Sequence, residues 1–108
     1  MSANAAVENG NGLDPLIHEA ARLQLVAVLN ECATADFNFL LGVTGLTRGN
    51  LSTHMAKLVA GGYVEEKKEF VNRLPHTEYR LSPQGRKAYK QYLDAWNKIT
   101  RPTLPAAK

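Results

Sequence analysis

The chain has 108 residues, 44% of them hydrophobic, with 13 Lys and Arg against 10 Asp and Glu and a single cysteine, Cys32. That length suits one small domain with one core. One thiol excludes a disulfide framework within the chain and any zinc site needing two thiolates, so Cys32 reads as a small buried hydrophobe. No signal peptide opens the sequence and no apolar run approaches the ~18 residues of a bilayer span, so an intracellular, cytoplasmic protein without a membrane partner is expected. Residues 48–90 hold nine Lys or Arg and four Glu, whereas the remainder holds four basic and six acidic residues. The asymmetry suits a surface facing phosphates, although a solvated basic face is also common.

Residues 1–12, MSANAAVENGNG, are small and polar, and disorder is expected there. Asp14-Pro15 supplies an N-cap and a proline at the first helical position, predicting a helix over about 15–31. Its residues are apolar almost all round between Ala20 and Leu29, which predicts cover on two sides, one of them from a second subunit. Asp36 caps a short helix, roughly 37–43. TGLT (44–47) is a turn at Gly45, and Thr47 caps a helix over about 48–60 that Gly61-Gly62 terminates. Two short helices across a tight turn form a helix-turn-helix. YVEEKKEFV (63–71) and TEYRL (77–81) read as two strands joined by a long tip, NRLPH (72–76). Ser82-Pro83 opens a last helix to about Ile99, with an apolar seam of Gly85, Tyr89, Tyr92, Trp96 and Ile99 that wants a partner helix. Pro102 and Pro105 leave residues 100–108 as a loose tail. The fold class is therefore mainly α with a small β-hairpin. It is a winged helix-turn-helix over residues 13–99 with terminal dimerisation helices.

The helix over 48–60 carries the functional signal. Leu51, Met55, Leu58 and Val59 recur at core spacing. The opposite face centres on Gly49, Thr53, Ala56 and Ala60, with Asn50 and Lys57 beside them. Small residues let a helix backbone sink into a groove, and the DNA major groove, roughly 12 Å wide, admits one helix. Asn50 and Thr53 suit base edges, Arg48 suits guanine or phosphate, and Lys57 suits phosphate. The same small face would also pack on another protein. In the hairpin, Lys68 and Arg73 point to nucleic acid, Arg73 at the tip that would reach the minor groove or backbone. Lys67 and Arg80 sit among Glu65, Glu66, Glu69 and Glu78 and read as cross-strand pairs.

The run TGLT-x-GNLS-x-H with GYV, followed by F-x-x-R-x-P-x-T-x-Y-x-L-[ST]-x-x-GR, resembles the short single-domain winged-helix regulators allied to the MarR and ArsR repressors. The resemblance covers about residues 14–96. It implies a homodimeric transcriptional regulator bound to double-stranded DNA, with the first and last helices at the dimer interface and the third helix in the major groove. Thr47, Asn50, Ser52, Thr53 and Lys57 fall on recognition-helix positions, and Arg73 on the wing arginine. His76 stands where that family commonly has Arg, and the resemblance makes it a DNA-contacting residue of the wing. Asn72 replaces a frequent Gly, Arg48 a residue that is often acidic, and Phe39 and Leu41 residues that are usually polar. The interface set so implied is Leu16, Ala20, Leu23, Ala27, Tyr89, Tyr92, Trp96 and Ile99.

A winged helix used only for protein–protein contact is the alternative. An enzyme is not expected: His18, His54 and His76 show neither metal spacing nor a paired acid. No cofactor and no metal are expected, and no residue names a small-molecule effector.

Overall fold

The computed structural model describes residues 11–106. The disorder expected for residues 1–12 falls, apart from Asn11 and Gly12, outside the described residues. Asp14 starts a single turn rather than a helix. Its carboxylate accepts from Leu16 N–H at 2.9 Å, and its carbonyl accepts from Ile17 and His18 N–H. Glu19 is then extended (φ −150°, ψ 133°) and caps a fresh helix, α1 (Ala20–Asn30), by accepting from Arg22 N–H. The continuous helix expected over 15–31 is thus corrected to a turn plus a helix. The extra cap, at a residue outside the usual Ser, Thr, Asp and Asn set, is what hid the break.

Next come β1 (Ala35–Asp36), α2 (Phe37–Thr44) and α3 (Arg48–Ala60). Three local choices place them. Asp36 accepts from Phe39 N–H at 2.7 Å, Thr47 accepts from Asn50 N–H at 3.1 Å, and Gly45 takes the left-handed conformation that ends α2 (φ 71°). The wing is β2 (Val64–Val71) and β3 (Leu74–Leu81), and α4 (Pro83–Thr100) closes the fold. The three strands run in the order β1-β3-β2, all antiparallel.

The hairpin differs from expectation. Val71 pairs with Leu74, so the connection is only Asn72-Arg73, both at positive φ (53° and 68°). That is the signature of a two-residue type I′ turn, whose twist matches the strands it joins. Residues 74–76, expected in the loop, are therefore in β3, and Pro75 is tolerated opposite Phe70 in a two-stranded ribbon.

One core gathers Leu25, Val26 and Leu29 of α1, Leu40 of α2, Leu51, Met55 and Leu58 of α3, and Val64, Tyr79 and Leu81 of the sheet. A second, smaller cluster joins Leu13 and Ile17 to Ala88 and Tyr92 of α4, with Leu23 packed against it. The second apolar side of α1, which predicted a neighbouring subunit, is thus covered in part by the chain's own α4 and its 13–17 turn. Ser82 locks α4 to the end of α3: its hydroxyl donates to the Gly62 carbonyl at 2.6 Å and caps Gly85 N–H at 2.9 Å. A side chain at Gly85 would put its Cβ 2.2 Å from the Tyr63 carbonyl oxygen, so only glycine permits this approach.

Candidate nucleic-acid interface

The underside of α3 is fully committed. Leu51, Met55 and Leu58 are at most 1% exposed, and Val59 packs against the same core. A polar strut adds to this. Arg22 of α1 donates through Nε to the Leu16 carbonyl at 2.6 Å, and its Nη1 lies 3.2 Å from His54 Nδ1. That contact requires Nδ1 as acceptor and so assigns the proton of a neutral His54 to Nε2. Glu19 stands 3.8 Å from the same imidazole. The N–H of Arg22 bonded to its carboxylate, with smaller help from the Arg22 guanidinium and against the cost of burial, holds the Glu19 carboxyl below its ordinary value. Arg22 was not singled out from the sequence. The available signal was a lone charge inside an otherwise apolar helix.

With its underside so held, α3 presents Gly49, Asn50, Ser52, Thr53, Ala56, Lys57 and Ala60 to solvent. Asn50 and Lys57 share one flank, and Ser52 and Arg48 the other. Thr47 is exposed, but its hydroxyl oxygen is engaged as the helix cap. Arg48 leans toward α2: its guanidinium lies 5.7 Å from the centre of the Phe37 ring and 3.4 Å from Asn38 Oδ1. A cleft of about 170 Å³ lies between this group and Pro75–Thr77 of the wing. No acidic residue lies in α3, so its field at the N-terminus is uniformly positive.

The wing splits into two faces by register. Val64, Glu66, Lys68 and Phe70 share the core-side face with Leu81, Tyr79, Thr77 and Pro75. Glu65, Lys67, Glu69 and Val71 share the outer face with Arg80, Glu78, His76 and Leu74. Lys68 is thus exposed on the inner side. Arg80 pairs across the strands with Glu65 at 2.6 Å, as the alternating charges suggested, whereas Lys67 finds its partner on its own strand, Glu69 at 3.7 Å. His76 is half-buried, and its Nε2 is 3.2 Å from Glu78 Oε2 while the residue also lines the cleft that Arg48 borders. Arg73 occupies the tip, flanked by exposed apolar residues on both faces of the ribbon, Phe70 on one and Val71 with Leu74 on the other. At the sheet base, burial and then the neighbouring Glu66 push the Tyr79 hydroxyl up to about 12.

The residues expected at a dimer interface divide. Tyr92 is 2% exposed and enclosed by its own protomer, with its hydroxyl 2.7 Å from His18 Nδ1. Leu16, Leu23, Ala27 and Tyr89 are half-buried, and Ala20 is exposed. Trp96 stacks on Tyr92, yet it and Ile99 remain open to solvent, as does Leu93, which the sequence reading omitted. On α2, Phe39 is exposed, whereas Leu41, the other apolar residue at a position usually polar in that family, packs against the core.

A helix-turn-helix joined to a three-stranded sheet with a projecting hairpin defines a winged helix. Residues 21–100 match the winged helix DNA-binding domain family, and the chain belongs to that family. The family is one of DNA-binding domains, not of enzymes. An uncharacterized protein of Methanocaldococcus jannaschii is 32% identical over 78 residues, covering 72% of this chain and 85% of its own. A transcriptional regulator homologue of Pyrococcus horikoshii OT3 is similar in structure, with a TM-score of 0.74, 26% identity, and coverage of 79% of this chain and 84% of its own. A chain from Salmonella typhimurium, 21% identical, shares the fold with a TM-score of 0.66 over 81% of this chain and 79% of its own. Among the described residues, no helix is long and apolar enough to cross a membrane.

Proposed function

We propose that this chain is a homodimeric transcriptional regulator that binds double-stranded DNA in a sequence-dependent way. The observation that carries the reading is the contrast across α3: an underside sealed in the core and an outer face of small and polar side chains with no acidic group. In this reading α3 lies in the major groove. Asn50, Ser52 and Thr53 face base edges, while Thr47, Arg48 and Lys57 hold the backbone. Arg73 and Lys68 extend the contact along the flanking backbone or minor groove. His76 is left out of the contact set because its imidazole faces Glu78.

The exposed stripe of Leu93, Trp96 and Ile99 on α4 is the surface offered to a second copy of the chain. Covering such a stripe removes apolar area from water at roughly 25 cal/mol per Å². A Trp96→Glu, Ile99→Glu double variant should sediment as a monomer at concentrations where the wild type is dimeric. Equal sedimentation of the two would refute this interface.

Fluorescence anisotropy with labelled fragments from around the chain's own gene, across a salt series, tests DNA binding. A log K falling linearly with log salt, with preference for one fragment, is the expected result. Arg73→Ala and Lys57→Ala should each weaken binding about uniformly across sequences and reduce the salt slope by roughly one. Undiminished binding by the double variant would overturn the site, and absence of binding at low salt would favour a protein-contact role for α3.

A further inference from the structure

The tight turn at Asn72-Arg73 brings three metal-ligating side chains together on the outer face of the wing. Glu69 of β2 pairs directly with His76 of β3, and Glu78 follows two residues later on the same face. One ligand atom from each lies within 4.8 Å of the other two, and all three residues are half-buried. The edge from His76 Nε2 to Glu78 Oε2 is 3.2 Å. A tetrahedral zinc ion with bonds of about 2.0–2.2 Å sets its ligand atoms roughly 3.4 Å apart. One edge of the site is therefore already at the required spacing, and Glu69 needs to close by roughly 1.5 Å at most.

We propose that Glu69, His76 and Glu78 form a binding site for a divalent transition metal, best matched by zinc, on the outer face of the wing. One imidazole nitrogen and two carboxylate oxygens are borderline-to-hard donors suited to such a cation, and the two carboxylates offset its charge. The exposed side leaves the fourth position to water. The ligands come from two strands, so the ion cross-links them. Lys67 competes: its ammonium sits 3.7 Å from Glu69, but its side chain is 70% exposed and free to swing into solvent. An ordinary surface ion pair of His76 with Glu78 would give the same edge and no metal uptake, so uptake is the discriminating measurement.

The test is calorimetric titration of zinc into the full-length, untagged chain. One saturable equivalent per chain is expected. His76→Gln and Glu69→Gln should each weaken binding by at least about tenfold, since even outer-shell partners of a metal contribute that much. Lys67→Met should tighten binding, and His18→Gln should leave it unchanged. Cobalt bound to the wild type should give the visible spectrum of a tetrahedral site, absent in His76→Gln. No saturable equivalent, or equal affinity in wild type, His76→Gln and Glu69→Gln, would overturn the proposal.

Discussion

The recognition helix and the wing are held by different forces. Under α3, three fully buried side chains and the Arg22–His54 strut fix the helix from below, so its outer face needs no stabilising side chains. The wing enters the core only at its base, through Val64, Tyr79 and Leu81. Beyond them its strands rest on ladder hydrogen bonds, a two-residue turn and exposed charge pairs. Burial separates the two faces of α3 sharply, one for folding and one for contact. The wing obtains the same separation from register alone, because alternate residues of a strand face opposite ways.

Substitutions can break or sharpen this contrast. The largest effect is expected beneath α3: Leu58→Ala should cost about 2–5 kcal/mol in urea denaturation, because it leaves a cavity at the junction of helix and sheet. A loss below 1 kcal/mol would mean that α3 is not held by its underside. At the wing base, alkaline pH should destabilise the fold through Tyr79. Its hydroxyl titrates near 12 when folded, against about 10 unfolded, so the protonated form favours folding. The contribution is whole below about pH 10 and is lost as pH rises toward about 12. Denaturation midpoints of wild type and Tyr79→Phe across that window measure it, and parallel curves would contradict the assignment.

Thr47→Ala should cost about 1 kcal/mol, as expected for loss of an N-cap, and weaken DNA binding through fraying of the first turn of α3. Smallest of all, Glu65→Gln should change stability by less than about 1 kcal/mol, because its pair with Arg80 is exposed and screened. A larger loss there would show that charge pairs, rather than the backbone ladder, hold the outer wing.

Much of this was legible before the structure. The caps at Asp36, Thr47 and Ser82, the apolar spacing of Leu51, Met55 and Leu58, and the glycine after α2 act within a turn or two of chain. They gave α2, α3 and α4 nearly to the residue. The bare face of α3 followed from the same periodicity. The break before α1 was missed because Glu19, an unusual cap, interrupts a sequence that otherwise reads as continuous helix. β1 was missed because two residues carry no period of their own, and they are a strand only by pairing with Glu78 and Tyr79.

Local chemistry, acting over a few residues, was sufficient in the sequence to specify the winged helix and to expose the small, cation-flanked face of α3. Tertiary structure decided what depends on residues distant in the chain. It covered much of the second side of α1 with the chain's own α4, enclosed Tyr92, and placed Arg22 beneath His54. It also closed the hairpin at Asn72-Arg73, a register that no local signal dictated. Because a strand alternates its faces at every residue, that one choice moved His76 out of the expected loop and set it opposite Glu69.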